Sequence, residues 1–147
     1  MRRPLIRSKQ AERETILHNL QRALEAQPRV VFAYVYGSFL EDRPFHDIDV
    51  AVYLDPAERE MSLFALELAS NLEKSLVRTP DRAAVCLPVD VRVLNRAPLG
   101  FCYHAFRGKL LSSRDDTVRT QWVERVVSRY LDLKPLRQRA LKEAMTA

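Results

Sequence analysis

Four short stretches of the chain have patterns of apolar and polar residues that are typical of β-strands. The first stretch, residues 30–36, is an apolar run rich in β-branched and aromatic side chains. In residues 48–54 and 88–94, apolar side chains occupy every second position, so each of these predicted strands has one apolar face. Residues 109–112 form a shorter run. The pattern therefore predicts four strands.

Between these strands, apolar residues recur at the three- to four-residue spacing of amphipathic helices. Residues 8–26 predict a first helix that leads into the first strand. Residues 55–58, Asp-Pro-Ala-Glu, resemble an N-cap, a first-turn proline and a supporting glutamate, and they predict the start of a long second helix ending near residue 77. A third helix is predicted within residues 95–108, where the final glycine stops it.

The C-terminal segment, about residues 114–147, is predicted to be helical. A wide apolar stripe runs along it and is made of Val118, Trp122, Val126 and Tyr130. Such a stripe is usually core. However, two closing helices on a small sheet cannot bury every face, so partner docking with Trp122 and Tyr130 as large anchors stays open. Pro135 is predicted to begin a separate last helix.

Length and composition indicate one globular domain, residues 1–147, with 47% hydrophobic residues and no need for disulfides. The basic N-terminus is not followed by the apolar stretch of a secretory signal, so we expect a cytoplasmic protein without membrane contact. Cys86 and Cys102 lack a metal-type spacing and are expected to be reduced. The net charge of +5 permits an acidic protein or RNA partner. We interpret the basic N-terminal residues as a solvated helix face and do not expect direct nucleic-acid binding.

The candidate chemistry lies between the end of the first predicted strand and the start of the third. Gly37 and Ser38 follow the first strand directly, where the backbone N–H groups of a tight turn can receive a phosphate. Asp47 and Asp49 open the second strand two positions apart, so both carboxylates point to one face. Asp90 lies near the start of the third strand, on the face opposite its valines.

Paired carboxylates of this kind repel each other unless a cation neutralises them or one is protonated. Magnesium prefers hard oxygen ligands and is commonly held by one or two carboxylates plus substrate phosphates. Three acids suit two such ions, one at the attacking hydroxyl and one at the triphosphate and leaving group. An isolated Asp-x-Asp is more often a solvated turn. The ordered combination of strand, Gly-Ser, Asp-x-Asp and a third acid favours a site for magnesium and a nucleotide.

This motif resembles that of the DNA polymerase β-like nucleotidyltransferase superfamily, although the spacer before the paired acids lacks the additional glycines common there. The resemblance implies an α+β fold with a small mixed sheet of about four strands flanked by helices. It also implies roles for the motif residues. Gly37 and Ser38 hold the triphosphate of ATP, Asp47 and Asp49 hold the magnesium ions, and Asp90 completes the catalytic and metal site nearest the attacking hydroxyl.

Three later segments, residues 91–99, 108–115 and 129–136, are similar to the minimal nucleotidyltransferases of the MntA antitoxin type, which are encoded next to HEPN-domain toxins. Members of this group are understood to transfer AMP from ATP to a tyrosine of the partner HEPN ribonuclease and so silence it. The resemblance therefore implies a magnesium-dependent protein adenylyltransferase whose partner is a HEPN toxin.

Two other functions stay open at this point. The same chemistry could act on a small-molecule hydroxyl, as in aminoglycoside nucleotidyltransferases, although those relatives generally use an added C-terminal domain. Alternatively, the chain could be a non-catalytic module that binds its toxin by occlusion or binds RNA. The sequence also leaves homo-oligomerisation open.

Overall fold

The computed structural model describes residues 5–6, 10–41, 43–57, 60–76 and 87–146. Four helices, four strands and one short 3-10 turn follow one another along this part of the chain. Their bounds are α1 (Gln10–Glu25), β1 (Val30–Tyr36), the 3-10 turn (Ser38–Leu40), β2 (Ile48–Leu54), α2 (Met61–Ser75), β3 (Val89–Val93), α3 (Leu99–Phe106), β4 (Lys109–Ser113) and α4 (Asp116–Thr146).

The four strands form one mixed sheet in the order β3-β2-β1-β4. Strand β1 is antiparallel to both β2 and β4, whereas β2 and β3 are parallel. Parallel neighbours need a crossover connection, and the segment containing α2 supplies it. The α+β fold with a four-stranded mixed sheet, predicted from the sequence, is confirmed.

Strand alternation divides the interior into two apolar layers, one on each face of the sheet. On the first face, strand valines such as Val35 and Val50 pack with leucines of α1 and α2. On the second face, Phe32, Tyr34 and Tyr36 pack with α3 and α4. Tyr34 and Tyr36, two positions apart in β1, are both buried on this face. The candidate acids extend the second face beyond its apolar part.

The start of α2 differs from the sequence prediction. The helix begins at Met61, with Glu60 at its N-cap, so the predicted N-cap at Asp55 is wrong. The Arg29 guanidinium donates two hydrogen bonds to the Pro56 carbonyl, at 2.8 and 3.1 Å. Because this distant arginine holds the chain in a bend just after β2, residues 55–57 do not join the helix.

The C-terminal segment forms one helix instead of two, because α4 continues through Pro135. Trp122 is buried against the sheet, so it belongs to the core and does not anchor a partner. Tyr130 stacks on Tyr103 with ring centroids 3.8 Å apart and is half-buried. Every described side chain from residue 131 onwards is exposed, including the large apolar residues Leu131, Leu133, Leu136, Leu141 and Met145.

Two further sequence predictions concern cysteines and membranes. Cys102 is buried and free, as expected for a small apolar side chain, whereas Cys86 lies outside the described residues. No helix among the described residues is long and apolar enough to cross a membrane.

Candidate active site

The first feature of the site is the turn that ends β1. Gly37 has a φ of 84° and a ψ of −159°, a backbone conformation that is almost restricted to glycine. A Cβ atom placed there would lie 2.5 Å from Oδ2 of Asp49. The 3-10 turn starts immediately afterwards at Ser38, and the N–H of Leu40 donates to the Gly37 carbonyl at 3.1 Å. Glycine is therefore required both for the turn and for the close approach of Asp49.

Strand register brings the candidate acids together on one face. The antiparallel pairing of β1 and β2 sets Tyr36 opposite Asp49, and the parallel pairing of β2 and β3 sets Asp49 opposite Asp90. Side chains of register partners point to the same face of a sheet, so Asp49 and Asp90 are neighbours. Asp47 immediately precedes β2 and lies close enough for its charge to act on Asp49.

The pKa of Asp49 is raised by its burial and by the two neighbouring acids. Burial of its side chain raises the pKa of Asp49 from 3.8 to about 6, with further contributions from the negative charges of Asp47 and Asp90. The guanidinium of Arg92 opposes the rise in pKa. The three acids thus carry more negative charge than Arg92 offsets, which is the condition that an added cation relieves.

A metal ion fits the chemistry of these side chains. Among the residues that the structure describes, no three His, Cys, Asp or Glu side chains form a ready-made metal cluster. Magnesium does not need such a cluster, since one or two carboxylates plus substrate phosphates commonly hold it. Asp49 and its neighbours Asp47 and Asp90 offer the hard oxygen donors that such an ion prefers.

Sequence reasoning did not identify Arg92 as part of the site. Its Nε lies 3.3 Å from Oδ2 of Asp90, and its guanidinium lies over the Phe101 ring, 5.6 Å from the centroid. The signal was present in the alternation of β3, which sets Arg92 on the same face as Asp90. Arg92 thus offsets part of the acidic charge and connects the acids to α3.

Tyr36 is a second residue of the site that the sequence pattern did not identify, and the register of β1 with β2 sets it opposite Asp49. Its ring packs edge-on against Phe101 and His104, with centroid distances of 5.5 and 5.7 Å. Burial and the nearby charge of Asp49 raise the pKa of the Tyr36 hydroxyl above its ordinary value. The phenol therefore stays neutral at physiological pH. It is a buried, uncharged side chain next to Asp49.

The spacer between the glycine turn and the acids is anchored without additional glycines. Phe39 and Phe45 are both buried, and their rings meet edge to face at 4.9 Å. The Arg13 guanidinium of α1 donates to the carbonyls of Glu41 and Arg43 at 2.6 and 3.1 Å. An aromatic pair and a helix arginine therefore hold the described part of the spacer, whose surface also carries an ion pair between Arg43 and Glu41.

The raised pKa of Asp49 gives a prediction for stability without added metal. The folded protein holds the Asp49 proton more tightly than the unfolded chain, so stability falls as pH rises from about 4 through 6. The free energy of unfolding of the wild type should equal that of Asp49→Asn below about pH 4 and should be lower than that of the variant at pH 7. The rise in the pKa of Asp49 corresponds to a difference of about 3 kcal/mol in the free energy of unfolding. Because the side chain is half-exposed, solvent screening reduces the expected difference to about 1 kcal/mol.

Urea unfolding of both proteins from pH 3.5 to 8 measures this difference, and magnesium at pH 7 should reduce it. Equal free energies of unfolding for the wild type and Asp49→Asn at pH 7 without metal would contradict the repulsion between Asp49 and its acidic neighbours.

These observations define the class of protein. The family model described as "Polymerase beta, Nucleotidyltransferase" matches residues 18–117, which is more than half of the chain. The chain therefore belongs to the polymerase β-type nucleotidyltransferases. A search of curated protein sequences finds no match.

Solved structures with the same fold include chains of toxin–antitoxin complexes. One is the complex of a tri-AMPylated Shewanella oneidensis HEPN toxin with MNT antitoxin, with 22% identity, a TM-score of 0.60, and coverage of 92% of this chain and 98% of that chain. Another is the toxin–antitoxin MntA-HepT, with 22% identity, a TM-score of 0.59, and coverage of 93% and 99%. A third is a toxin–antitoxin structure with AMP-PNP, with 21% identity, a TM-score of 0.65, and coverage of 88% and 98%. The resemblance to the MntA type is thereby confirmed as a likeness of fold.

Proposed function

We propose that this protein is an antitoxin that transfers AMP from ATP to a tyrosine of a partner HEPN toxin and so neutralises it. The observation that carries the proposal is the register of Asp49 with Asp90, beside a glycine turn that approaches Asp49 closely. The fold likeness to chains of complexes that contain a tri-AMPylated HEPN toxin or AMP-PNP supports the choice of nucleotide and acceptor. Such an enzyme would act in the cytoplasm, together with its toxin.

The proposed reaction uses the site residues in distinct roles. The acceptor hydroxyl oxygen bonds to the α-phosphorus of ATP, and the bond from that phosphorus to the bridging oxygen breaks. Pyrophosphate leaves with the electron pair, and the hydroxyl proton passes to the Asp90 carboxylate. Gly37 and Ser38 present backbone N–H groups to the triphosphate.

Asp47, Asp49 and Asp90 would hold magnesium, which when bound neutralises charge on the triphosphate and on the leaving pyrophosphate. Arg92 keeps the Asp90 carboxylate oriented through its 3.3 Å contact. Catalysis is then mainly positioning and charge stabilisation around the α-phosphate.

The test is to incubate the purified protein with its HEPN partner, magnesium and ATP labelled at the α-phosphate. We expect the label on the partner, at a tyrosine identified by mass spectrometry, and we expect no transfer when the label is on the γ-phosphate. Absence of α-label on a folded partner would contradict the proposal.

The labelling experiment, combined with an assay of protection from the toxin in cells, separates the other functions. A small-molecule enzyme would leave the partner unlabelled, whereas a binding module would protect cells from the toxin even with Asp47→Ala and Asp49→Ala together. We expect that double variant to lose both labelling and protection.

A further inference from the structure

A groove runs along the outer edge of β3, next to the acid site. Strand β3 is the last strand of the sheet on this side, and it pairs only with β2 among the described residues. The N-terminal half of α2 and the beginning of α3 form the two walls. The groove has a volume of about 620 Å³ and is bordered on α2 by Met61, Ala65 and Leu66 and on the opposite wall by Ala97 and Phe101.

The backbone of β3 presents hydrogen-bonding groups to this groove. The N–H of Leu94 donates to the Val52 carbonyl of β2 at 2.8 Å. In a parallel strand, alternate residues direct their N–H and C=O groups to the same side, so Val91 and Val93 direct theirs away from β2. Val89 is directed away from β2 in the same way, and its N–H donates to the Glu73 side chain at 3.0 Å. Val91 and Val93 are therefore positioned to pair with an added extended chain.

The side chains of the groove combine apolar walls with positive charge. Leu66 is 70% exposed on the α2 wall, although it is a large apolar residue. Arg92 and Arg96 both line the groove. Guanidinium groups beside apolar surface suit a segment that carries both apolar and acidic side chains.

The groove also leads to the acids, because Arg92 contacts Asp90 on one side and lies over Phe101 on the other. Asp90 is the residue immediately before Val91, whose backbone N–H and C=O groups are directed away from β2. A segment paired with Val91 and Val93 would therefore have its neighbouring residues beside the Asp90 carboxylate.

We propose that this β3-edge groove binds an extended, acidic segment of the acceptor protein as an added strand and so delivers the acceptor tyrosine to Asp90. The proposal rests on the proposed function, since it identifies where that acceptor docks. Backbone pairing supplies affinity, and the arginines select acidic side chains. A second copy of this chain fits less well, since pairing at the same edges would bring the arginines of both copies together.

The first test measures binding of the HEPN partner by calorimetry, without ATP or magnesium. The variant Leu66→Asp with Arg96→Glu should weaken binding by about tenfold or more, because it adds repulsion to an acidic segment. The matched control is Leu63→Asp with Arg22→Glu, which changes another exposed leucine of α2 and an exposed arginine of α1. The control should bind within about twofold of wild type. Equal binding by the two double variants overturns the proposal.

The second test uses the wild-type protein, so it does not depend on a variant folding. Hydrogen exchange should slow at the Val91 and Val93 amides when the partner binds, because an added strand protects them. Unchanged exchange at both amides, displacement of the partner by RNA, or dimerisation of this chain that Leu66→Asp abolishes would each overturn the proposal.

The outcomes for docking and for catalysis are separate. Neither docking measurement uses nucleotide, so a partner that docks in the groove but takes no α-label contradicts the proposed function alone. A partner that is labelled, but is bound equally well by the groove variant and by its control, contradicts the groove alone.

Discussion

Replacing Asp49 with asparagine should reduce the rate of AMP transfer by about 10³-fold, because the variant loses a charged oxygen at the centre of the acid site. Asp49 is the residue that Gly37 approaches, and its register partner on β3 is Asp90. The amide keeps the size of the side chain but cannot neutralise a divalent cation. The loss should appear in kcat, with the affinity for the partner protein nearly unchanged, because the groove on β3 is not altered.

The matched control is Asp55→Asn, which makes the same chemical change just beyond the opposite end of β2, at an exposed position. We expect that control to retain activity within about twofold of wild type. Single-turnover labelling of the partner measures both rates. An Asp49→Asn enzyme that transfers AMP at the wild-type rate would show that the acids are not the catalytic centre.

Replacing Gly37 with alanine should reduce AMP transfer by about 10²-fold, because the new methyl group displaces Asp49. The added Cβ would meet Oδ2 of Asp49 at 2.5 Å, and the carboxylate has to turn away to relieve the contact. The positive φ adds backbone strain, so the free energy of unfolding should fall by about 1–3 kcal/mol.

Gly100→Ala is the control for this change. Gly100 lies in α3, where the nearest atom to an added Cβ is a side-chain nitrogen of Arg137 at 3.9 Å, an ordinary contact. Alanine is the better helix former, so this control should be as stable as wild type or more stable, by up to about 1 kcal/mol. Thermal unfolding and labelling assays compare the two variants. Equal activity in Gly37→Ala and Gly100→Ala would contradict a close approach at the glycine turn.

The strands, and the face of the sheet on which each acid lies, were predictable because side chains in a strand alternate between the two faces with a period of two. That period alone sets Asp49 on the face opposite Val50, and it sets Asp90 and Arg92 together on one face of β3. The pairing of Asp49 with Asp90 was not predictable in this way. It depends on how the α2 crossover brings β3 alongside β2, which involves tertiary packing.

One error came from a contact that local sequence does not contain. Residues 55–58 have the composition of a helix start, but Arg29, far away in the sequence, binds the Pro56 carbonyl and holds a bend there. The prediction of a helix break at Pro135 was also wrong, because this proline removes one backbone donor from α4 without ending the helix. The side chains around Pro135 are exposed, so water can satisfy the carbonyl that lost its partner.

The exposed end of α4 has a physical consequence for the whole molecule. Residues 131–146 continue the helix for about 24 Å at 1.5 Å per residue. A projecting rod of this length makes rotational diffusion anisotropic, so amide relaxation rates along α4 should differ from those of helices that lie at other angles. Met145 is 84% exposed, so a spin label attached to the cysteine of a Met145→Cys variant would serve as a distance marker for tracking a bound partner.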